Sequence, residues 1–183
     1  MIKRKQIFLI QLLLIFLGTV ISAKPLSKTI VWKYYEWRDW IYRWDSIAKA
    51  DSLQPVVWME IPEIELSTFI VADDTEKNLE KYPCLAEGQH LKESGLNIIL
   101  GHRDMQFFKL KDLKDEHRIM FEFKDKSRKT YRIIETEVIA KDRTERRLAD
   151  NQNKDMLVLM TCHPFLFLGS APDRFLVWAE LAE

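Results

Sequence analysis

The sequence contains few of the residues that linkers, repeats and metal sites require. Among 183 residues there are five glycines, six prolines, two cysteines and four histidines. So few glycines and prolines leave no low-complexity linker, and the absence of an internal repeat excludes a solenoid or a propeller. A chain of this length has room for one domain with a substantial core. We therefore expect a single folded domain.

Net charge is also absent, because 28 Lys and Arg residues balance 28 Asp and Glu residues. Without a field of one sign the chain lacks the electrostatic footprint of a nucleic-acid-binding protein, and nucleic acid is disfavoured as a partner. Apolar residues make up 47% of the sequence and charged residues 31%, the balance of a folded domain rather than a disordered one.

The cysteines are too few and too scattered for a zinc site. Cys84 and Cys162 belong to no Cys-x-x-Cys pair, and no His-x-x-x-His occurs. We expect neither a structural metal nor a cofactor. A disulfide between the two cysteines is an open alternative for a protein in an oxidising compartment. Their contexts argue against it, because Cys162 ends an apolar strand whereas Cys84 follows Pro83 in a polar connection.

The first 54 residues are predicted to form two segments. Residues 1–23 join a basic start to an apolar run, which is typical of an export signal or a membrane anchor. We favour the anchor, with the domain outside the cytoplasm, and keep secretion after cleavage as the alternative. Residues 24–54 have helical spacing and contain four tryptophans and three tyrosines. They predict an amphipathic helix that lies at a bilayer interface, in a groove of the domain or on its core.

Residues 55–183 are predicted to be all-β, a sandwich or a barrel, since short β-type runs alternate with turn-forming or charged stretches. Short helices are expected only in connections, at 74–82 and at 105–113, where Asp104 can cap the first turn. Residues 141–150 are expected to form a long surface loop. The predicted strands are 56–61, 64–71, 97–102, 118–123, 130–140, 156–162 and 175–181.

A thiol, an imidazole and a guanidinium stand at the ends of predicted strands. Cys162 ends one apolar strand and His102 ends another, with Gly101 giving the backbone freedom to turn before it. Twelve residues after the thiol at 162, Arg174 begins the next apolar run. A guanidinium can stabilise developing negative charge but is a poor proton carrier. For Arg174 the alternative is a surface salt bridge, for example with Asp173.

The other three histidines are weaker candidates for a base. His163 is next to the thiol in sequence, but successive side chains of a strand point to opposite faces. His90 and His117 lie in polar connections, where solvent-exposed side chains are expected. His102 is therefore the expected base.

Together these residues resemble the sortase family of cysteine transpeptidases. The resemblance covers residues from about 56 to the C-terminus. It is carried by Gly-His-Arg-Asp at 101–104, followed by Phe107 and Leu110, by Leu-Met-Thr-Cys at 159–162, and by Arg174 before the final strand.

Within the family, the sequence resembles most the Gram-negative class, whose members carry Gly-His-Arg-Asp and Thr-Cys-aromatic-Pro-Phe. Here residues 161–165 read Thr-Cys-His-Pro-Phe. The departures from that class are His163 in place of an aromatic residue, Met105-Gln106 in place of a small polar residue and His, and Asp115-Glu116 in place of Gly-Asp. None is expected to touch the three candidate residues.

The resemblance implies a closed eight-stranded β-barrel with short connecting helices, preceded by the membrane segment and the amphipathic helix. It makes Cys162 the nucleophile, His102 its proton-transfer partner and Arg174 the oxyanion donor. The implied partners are a protein with a short C-terminal sorting signal, an amine acceptor and, through the N-terminus, the membrane. The domain would lie on the periplasmic side of the inner membrane.

Other functions have less support. Papain-like enzymes place Cys before His and need a Cys-Gly-Ser-Cys-Trp segment, and L,D-transpeptidases need Ser-His-Gly-Cys with an Arg two residues later. Neither segment is present. The remaining alternative is a non-enzymatic exported β-domain that binds a partner and has structural cysteines. It predicts no free thiol, whereas the enzyme predicts that Cys162 reacts faster than Cys84.

Overall fold

A computed structural model describes residues 11–14, 30, 33–34, 37, 55–91 and 94–182. Eight strands close into a barrel in the order β1-β2-β3-β4-β7-β8-β6-β5, as expected from the resemblance. Closure gives every strand a neighbour on both sides, although β2 and β3 pair only at Val71 and Cys84. The strands are β1 (Pro55–Ile61), β2 (Leu66–Val71), β3 (Cys84–Leu85), β4 (Leu96–Leu100), β5 (Arg118–Phe123), β6 (Arg128–Ala140), β7 (Met156–His163) and β8 (Asp173–Leu181).

The barrel is mixed rather than purely antiparallel. Strand β2 runs parallel to β3, and β4 runs parallel to β7, while the other pairs are antiparallel. Because β4 and β7 point the same way, the residues that follow them emerge at the same edge of the sheet. The β4–β7 pairing therefore brings together two chain segments that are 60 residues apart, as the pairing of Leu100 with Met160 shows.

Side chains of the strands alternate between the barrel interior and its outer face. The interior contains residues from every strand, among them Ile99 of β4, Leu159 of β7 and Val177 of β8. The outer face of β7 and β8 carries a second apolar cluster, which includes Val158 and Trp178. Burying each large apolar side chain contributes about 1.5–3 kcal/mol, so both layers hold these strands in place.

Seven strands lie within a few residues of their predicted positions, and one was missed. Strand β3 has only two residues, too few for an alternating pattern to be visible. The prediction that Cys84 lies in a polar connection was therefore wrong, because Cys84 belongs to this buried strand. Strand β2 also begins later than predicted, since a 3₁₀ helix, Pro62–Ile64, precedes it.

The predicted loop at 141–150 is instead a helix, α2 (Lys141–Ala149). Its Lys, Arg, Glu, Leu and Ala residues are good helix formers. The prediction of a loop rested on the many charged residues of the segment. Thr144 is buried on the helix, and Leu148 packs against the outer apolar cluster. The helix thus covers the outside of the barrel.

The two predicted connecting helices are shorter than expected. Helix α1 spans Glu76–Leu79, and the side chain of Thr75 caps it by accepting a hydrogen bond of 3.3 Å from the N–H of Asn78. The second helix is a 3₁₀ helix, Phe108–Asp112, which lacks a side-chain cap. Asp104 therefore does not cap it, contrary to the prediction, because the helix begins after Phe107.

The predictions for residues 1–23 and 24–54 fall largely outside the described residues. Residues 11–14, 30, 33–34 and 37 are helical, and Ile30, Tyr34 and Trp37 among them are exposed. Within the part of the chain that the structure describes, no helix has the length and apolar character needed to cross a membrane.

Candidate active site

The ends of three adjacent strands bring His102, Cys162 and Arg174 to one groove. Leu100, the last residue of β4, pairs with Met160 of the parallel strand β7, and His102 and Cys162 each follow two residues later. On the other side, Arg174 of the antiparallel strand β8 lies directly opposite Cys162. Opposed residues share a face of the sheet, with their Cβ atoms about 4.5–5.5 Å apart. Cys162 is therefore flanked by the other two.

All three predicted residues line one groove on the outer face of the barrel, and all three are half-buried. The groove has a volume of about 320 Å³. Half-burial in a groove fixes the position of a side chain and leaves it accessible, and a nucleophile needs both. The remaining lining residues are Leu79, Leu100, Gly101, Met160 and Thr161.

The backbone of His102 is held on both sides. Its N–H donates to Oε1 of Gln106 at 3.2 Å. Its carbonyl oxygen accepts from the N–H of Met105 at 3.3 Å and from that of Phe107 at 3.0 Å. Residues 105–107 are thus hydrogen-bonded to the backbone of His102. The expectation that Met105-Gln106 would not touch the three candidate residues was wrong, because Gln106 is bonded to His102.

Gly101 is required for a reason other than backbone freedom. It has no positive φ, contrary to what the sequence suggested. A Cβ at this position would lie 2.6 Å from Cδ2 of the Phe107 ring, closer than side chains tolerate. The glycine therefore allows the Phe107 ring to pack against the strand end just before His102.

Thr161 joins the two strand ends beneath the groove. Its side chain is almost completely buried, and its hydroxyl donates to the carbonyl of Gly101 at 2.7 Å. The N–H of Gly101 in turn donates to the carbonyl of Met160 at 3.2 Å. These bonds continue the contact between the two segments to Gly101 and Thr161, the residues directly before His102 and Cys162. The sequence showed Thr161 only as part of a motif, without this role.

Arg174 donates to backbone carbonyls rather than to a carboxylate. Its Nη1 lies 2.9 Å from the oxygen of Asp173 and 3.5 Å from that of Ala171. Among the described residues no carboxylate forms an ion pair with Arg174, so the salt bridge considered for Asp173 does not form. Two carbonyls use one end of the guanidinium, which carries five N–H donors in total. Donors therefore remain for an oxyanion.

Arg103 is hydrogen-bonded to the loop between Cys162 and Arg174. Its Nη2 donates to the carbonyls of Phe167 at 2.8 Å and Gly169 at 3.1 Å. The guanidinium carbon also lies 5.8 Å from the centre of the Phe167 ring. The turn that carries His102 is in this way bonded to the loop that leads to Arg174.

The other histidines lie outside the groove lining, as expected. His163 is opposite Asp173, and its ring packs edge-on against Phe165 with centroids 5.9 Å apart. His90 is exposed, and Nδ1 of His117 accepts from the N–H of Lys114 at 3.3 Å.

Cys84 and Cys162 are both free thiols, so the disulfide alternative does not hold. Cys84 is fully buried, and its Sγ donates to the carbonyl of Tyr82 at 3.4 Å. Burial, followed by the negative charges of Asp74 and Asp73, raises the pKa of Cys84 to about 12. At neutral pH this thiol is protonated and inaccessible, which makes it a poor nucleophile.

Comparisons with known sequences identify similar proteins. Residues 59–182 match the family described as "Sortase domain". The chain is also similar to sortase D of Bacillus subtilis (strain 168), with 31% identity over 128 residues. The aligned part covers 67% of this chain and 61% of that protein, so the chain spans less than two thirds of this relative's length.

Solved structures share the fold at lower sequence identity. A sortase D5 transpeptidase from Clostridium perfringens superposes with a TM-score of 0.64 at 22% identity, covering 84% of this chain and 99% of that one. Sortase A from Corynebacterium diphtheriae superposes with a TM-score of 0.63 at 20% identity, covering 88% and 85%. At these identities the likenesses show a shared fold.

Proposed function

The chain belongs to the sortase family, and we propose that it is a cysteine transpeptidase that cleaves a sorting signal in an exported protein. The observation that carries the proposal is that His102, Cys162 and Arg174, at or just beyond the ends of three adjacent strands, line one groove. A thiol between a base and a fixed cation is the arrangement that acyl transfer requires.

In the first step, the proton of the Cys162 thiol passes to His102, and the sulfur attacks the carbonyl carbon of a peptide bond in the signal. The C–S bond forms as the carbonyl becomes a tetrahedral oxyanion. His102 then donates a proton to the departing amine as the C–N bond breaks, leaving a thioester on Cys162. The proposed roles follow from the chemistry of the two side chains and from their places in one groove, Cys162 on β7 and His102 two residues after β4.

Arg174 stabilises the oxyanion in this step. It lies directly opposite Cys162, and its guanidinium keeps donors beyond those bonded to the Asp173 and Ala171 carbonyls. One such donor typically contributes about 3 kcal/mol to the stabilisation of a transition state. Its positive charge is permanent, so this contribution does not depend on proton transfer.

In the second step an amine acceptor opens the thioester and receives the acyl group, with His102 accepting the proton of the attacking amine. Water in place of the amine gives hydrolysis. The groove is lined by Leu79, Leu100 and Met160, which favour an apolar side chain in the bound peptide.

The proposed chain layout remains that of the sequence interpretation. Residues 1–23 anchor the protein in the inner membrane or are cleaved, residues 24–54 form the aromatic-rich helix, and residues 55–183 form the catalytic domain on the periplasmic side. Its motifs favour the Gram-negative class, while the similarity to sortase D of Bacillus subtilis makes class D the competing assignment.

Intact-mass spectrometry of the protein mixed with candidate signal peptides tests the proposal. We expect a covalent adduct that maps to Cys162 and disappears on addition of an amine. Cys162→Ala should fold but form no adduct, and Cys84→Ala is the matched control that keeps it. An adduct that persists in Cys162→Ala would contradict the assigned nucleophile. The alternative of a binding module with structural cysteines predicts no free thiol, whereas both thiols are free.

A further inference from the structure

A buried glutamine connects the two walls of the groove. From its contacts we infer that Gln106 is a positioning residue, which sets the place of His102 relative to the wall formed by Leu79. The inference rests on the proposed function, in which His102 is the proton-transfer group.

Both ends of the Gln106 amide are bonded to backbone atoms next to the groove. Its Oε1 accepts from the N–H of His102 at 3.2 Å, and its Nε2 donates to the carbonyl of Leu79 at 3.1 Å. Turning the amide over would place oxygen against oxygen, so the two partners determine its orientation. Gln106 is only 1% exposed, and water cannot easily replace either bond.

The two bonded backbone groups belong to residues that line the groove. His102 lies on the β4 side, and Leu79 is the last residue of helix α1, which faces it. Gln106 therefore holds α1 and the turn after β4 at one separation. A group that transfers a proton must lie within hydrogen-bond reach of its partner, and small displacements of such a group reduce turnover strongly.

The identity of this residue leads to a rescue experiment. In the family class that the motifs resemble, this position of the sequence carries His rather than Gln. A neutral imidazole has one acceptor nitrogen and one N–H donor, and so can replace both functions of the amide. Leucine has a similar size but neither function. Gln106→Leu should thus impair positioning, and Gln106→His should restore it.

Gln89, in the connection between β3 and β4, provides a matched control. Its Oε1 accepts from the N–H of Ile98 at 2.6 Å, and its Nε2 donates to the carbonyl of Leu96 at 3.1 Å. Gln89 thus makes the same two kinds of bond to the backbone of β4, but at the strand end opposite to His102. Gln89→Leu should cost stability without disturbing the groove.

The experiment compares wild type, His102→Ala and the glutamine variants by two measurements. The first is the rate at which a small alkylating reagent modifies Cys162 as a function of pH, which needs no substrate. The second is kcat and KM with a signal peptide that forms the adduct. Thermal unfolding of each variant reports stability alone.

We expect the alkylation profile of Gln106→Leu to move from that of wild type toward that of His102→Ala. Its kcat should fall about 10- to 100-fold, with a much smaller change in KM. Gln106→His should recover most of both, and Gln89→Leu should keep the wild-type profile and kcat despite its lower melting temperature. If Gln106→Leu does not fold, Gln106→Asn, whose side chain is too short to reach both partners, takes its place.

The inference is overturned if the Gln106 variants keep the wild-type profile and kcat, or if Gln89→Leu loses as much kcat as Gln106→Leu. A different result would sink the proposed function instead. If wild type and His102→Ala share one alkylation profile, His102 does not act on Cys162.

Discussion

The two cysteines occupy contrasting regions of the same outer surface of the barrel. Cys84 lies opposite Leu100, on the other side of β4 from the strand that carries Cys162. It is fully buried in an aromatic cluster with Trp58 and Phe69. Cys162 is half-buried at the end of β7, between His102 and Arg174. The two thiols thus share a sheet but differ in access and in charged neighbours.

This contrast shows that position in the fold, and not residue type, sets how accessible a thiol is and which charged groups surround it. Around Cys84, burial and two nearby carboxylates raise the pKa to about 12 and keep the sulfur protonated. Cys162 instead shares its groove with His102, two residues after β4, and with Arg174 of the neighbouring strand β8. Leu100 and Leu79 lie between the two regions and line the groove. On the other side, Leu100 pairs with Cys84, and Leu79 packs on the aromatic cluster.

The largest effect on activity is expected from removing Arg174, the cation of the groove. Arg174→Ala should lower kcat about 10²- to 10³-fold, because the oxyanion loses its donor. Arg174→Lys keeps the charge without the planar fork and should lose less. Steady-state kinetics with a signal peptide measures both effects.

The control for this variant is Arg128→Ala, which removes a guanidinium that pairs with Glu122 at 2.9 Å and does not line the groove. It should retain kcat. A normal kcat in Arg174→Ala would show that the oxyanion is stabilised elsewhere.

Alkylation of the folded wild-type protein measures the contrast directly. Cys162 should react at least about 100-fold faster than Cys84, because modification of a buried thiol requires a local opening that costs a few kcal/mol. Peptide mapping by mass spectrometry at several times gives the two rates. In urea the two thiols should react at similar rates, and similar rates without urea would contradict the contrast.

The smallest expected effect concerns stability at alkaline pH. The pKa of Cys84 is raised from 9.0 to about 12, so between these values the unfolded chain releases a proton that the folded chain retains. The stability that the neutral thiol contributes is complete below pH 9 and is lost as pH rises toward 12. The free energy of unfolding should therefore fall with pH in this window.

Urea unfolding of wild type and Cys84→Ala, at about pH 8 and about pH 10.5, isolates this effect. The free energy of unfolding of the variant should fall less steeply with pH, because the variant lacks the titrating group. The difference in slope corresponds to at most about one proton. Tyr131, whose pKa is raised chiefly by burial, contributes equally to both proteins. Equal declines would show that Cys84 is not the source.

Much of the fold was predictable because most strands are long enough to show a pattern. The predicted strand 118–123 coincides with β5, and the end of the predicted strand 130–140 coincides with that of β6. Strand β3 was invisible because two residues show no alternation. Helix α2 was mistaken for a loop because its exposed charges conceal the apolar contact of Leu148, which only the barrel surface provides.

The sequence indicated three candidate residues but not the contacts that support them. Cys162, His102 and Arg174 were proposed from motifs and from their places at strand ends, and they line one groove, while their catalytic roles stay a prediction. Gln106 carries no sequence signal of its role, since its two partners, His102 and Leu79, become neighbours only in the folded chain. The role of Gly101 was misread for the same reason, because its constraint comes from the ring of Phe107 rather than from φ.

The sequence by itself determined which side chains can do chemistry and which segments become strands, since both depend on residue type and local spacing. Tertiary structure alone decided which thiol is exposed. It also decided which residues are level across β4, β7 and β8 and which buried amide holds the histidine. These properties depend on strand register and on contacts between distant segments, and neither is written in any local stretch of the chain.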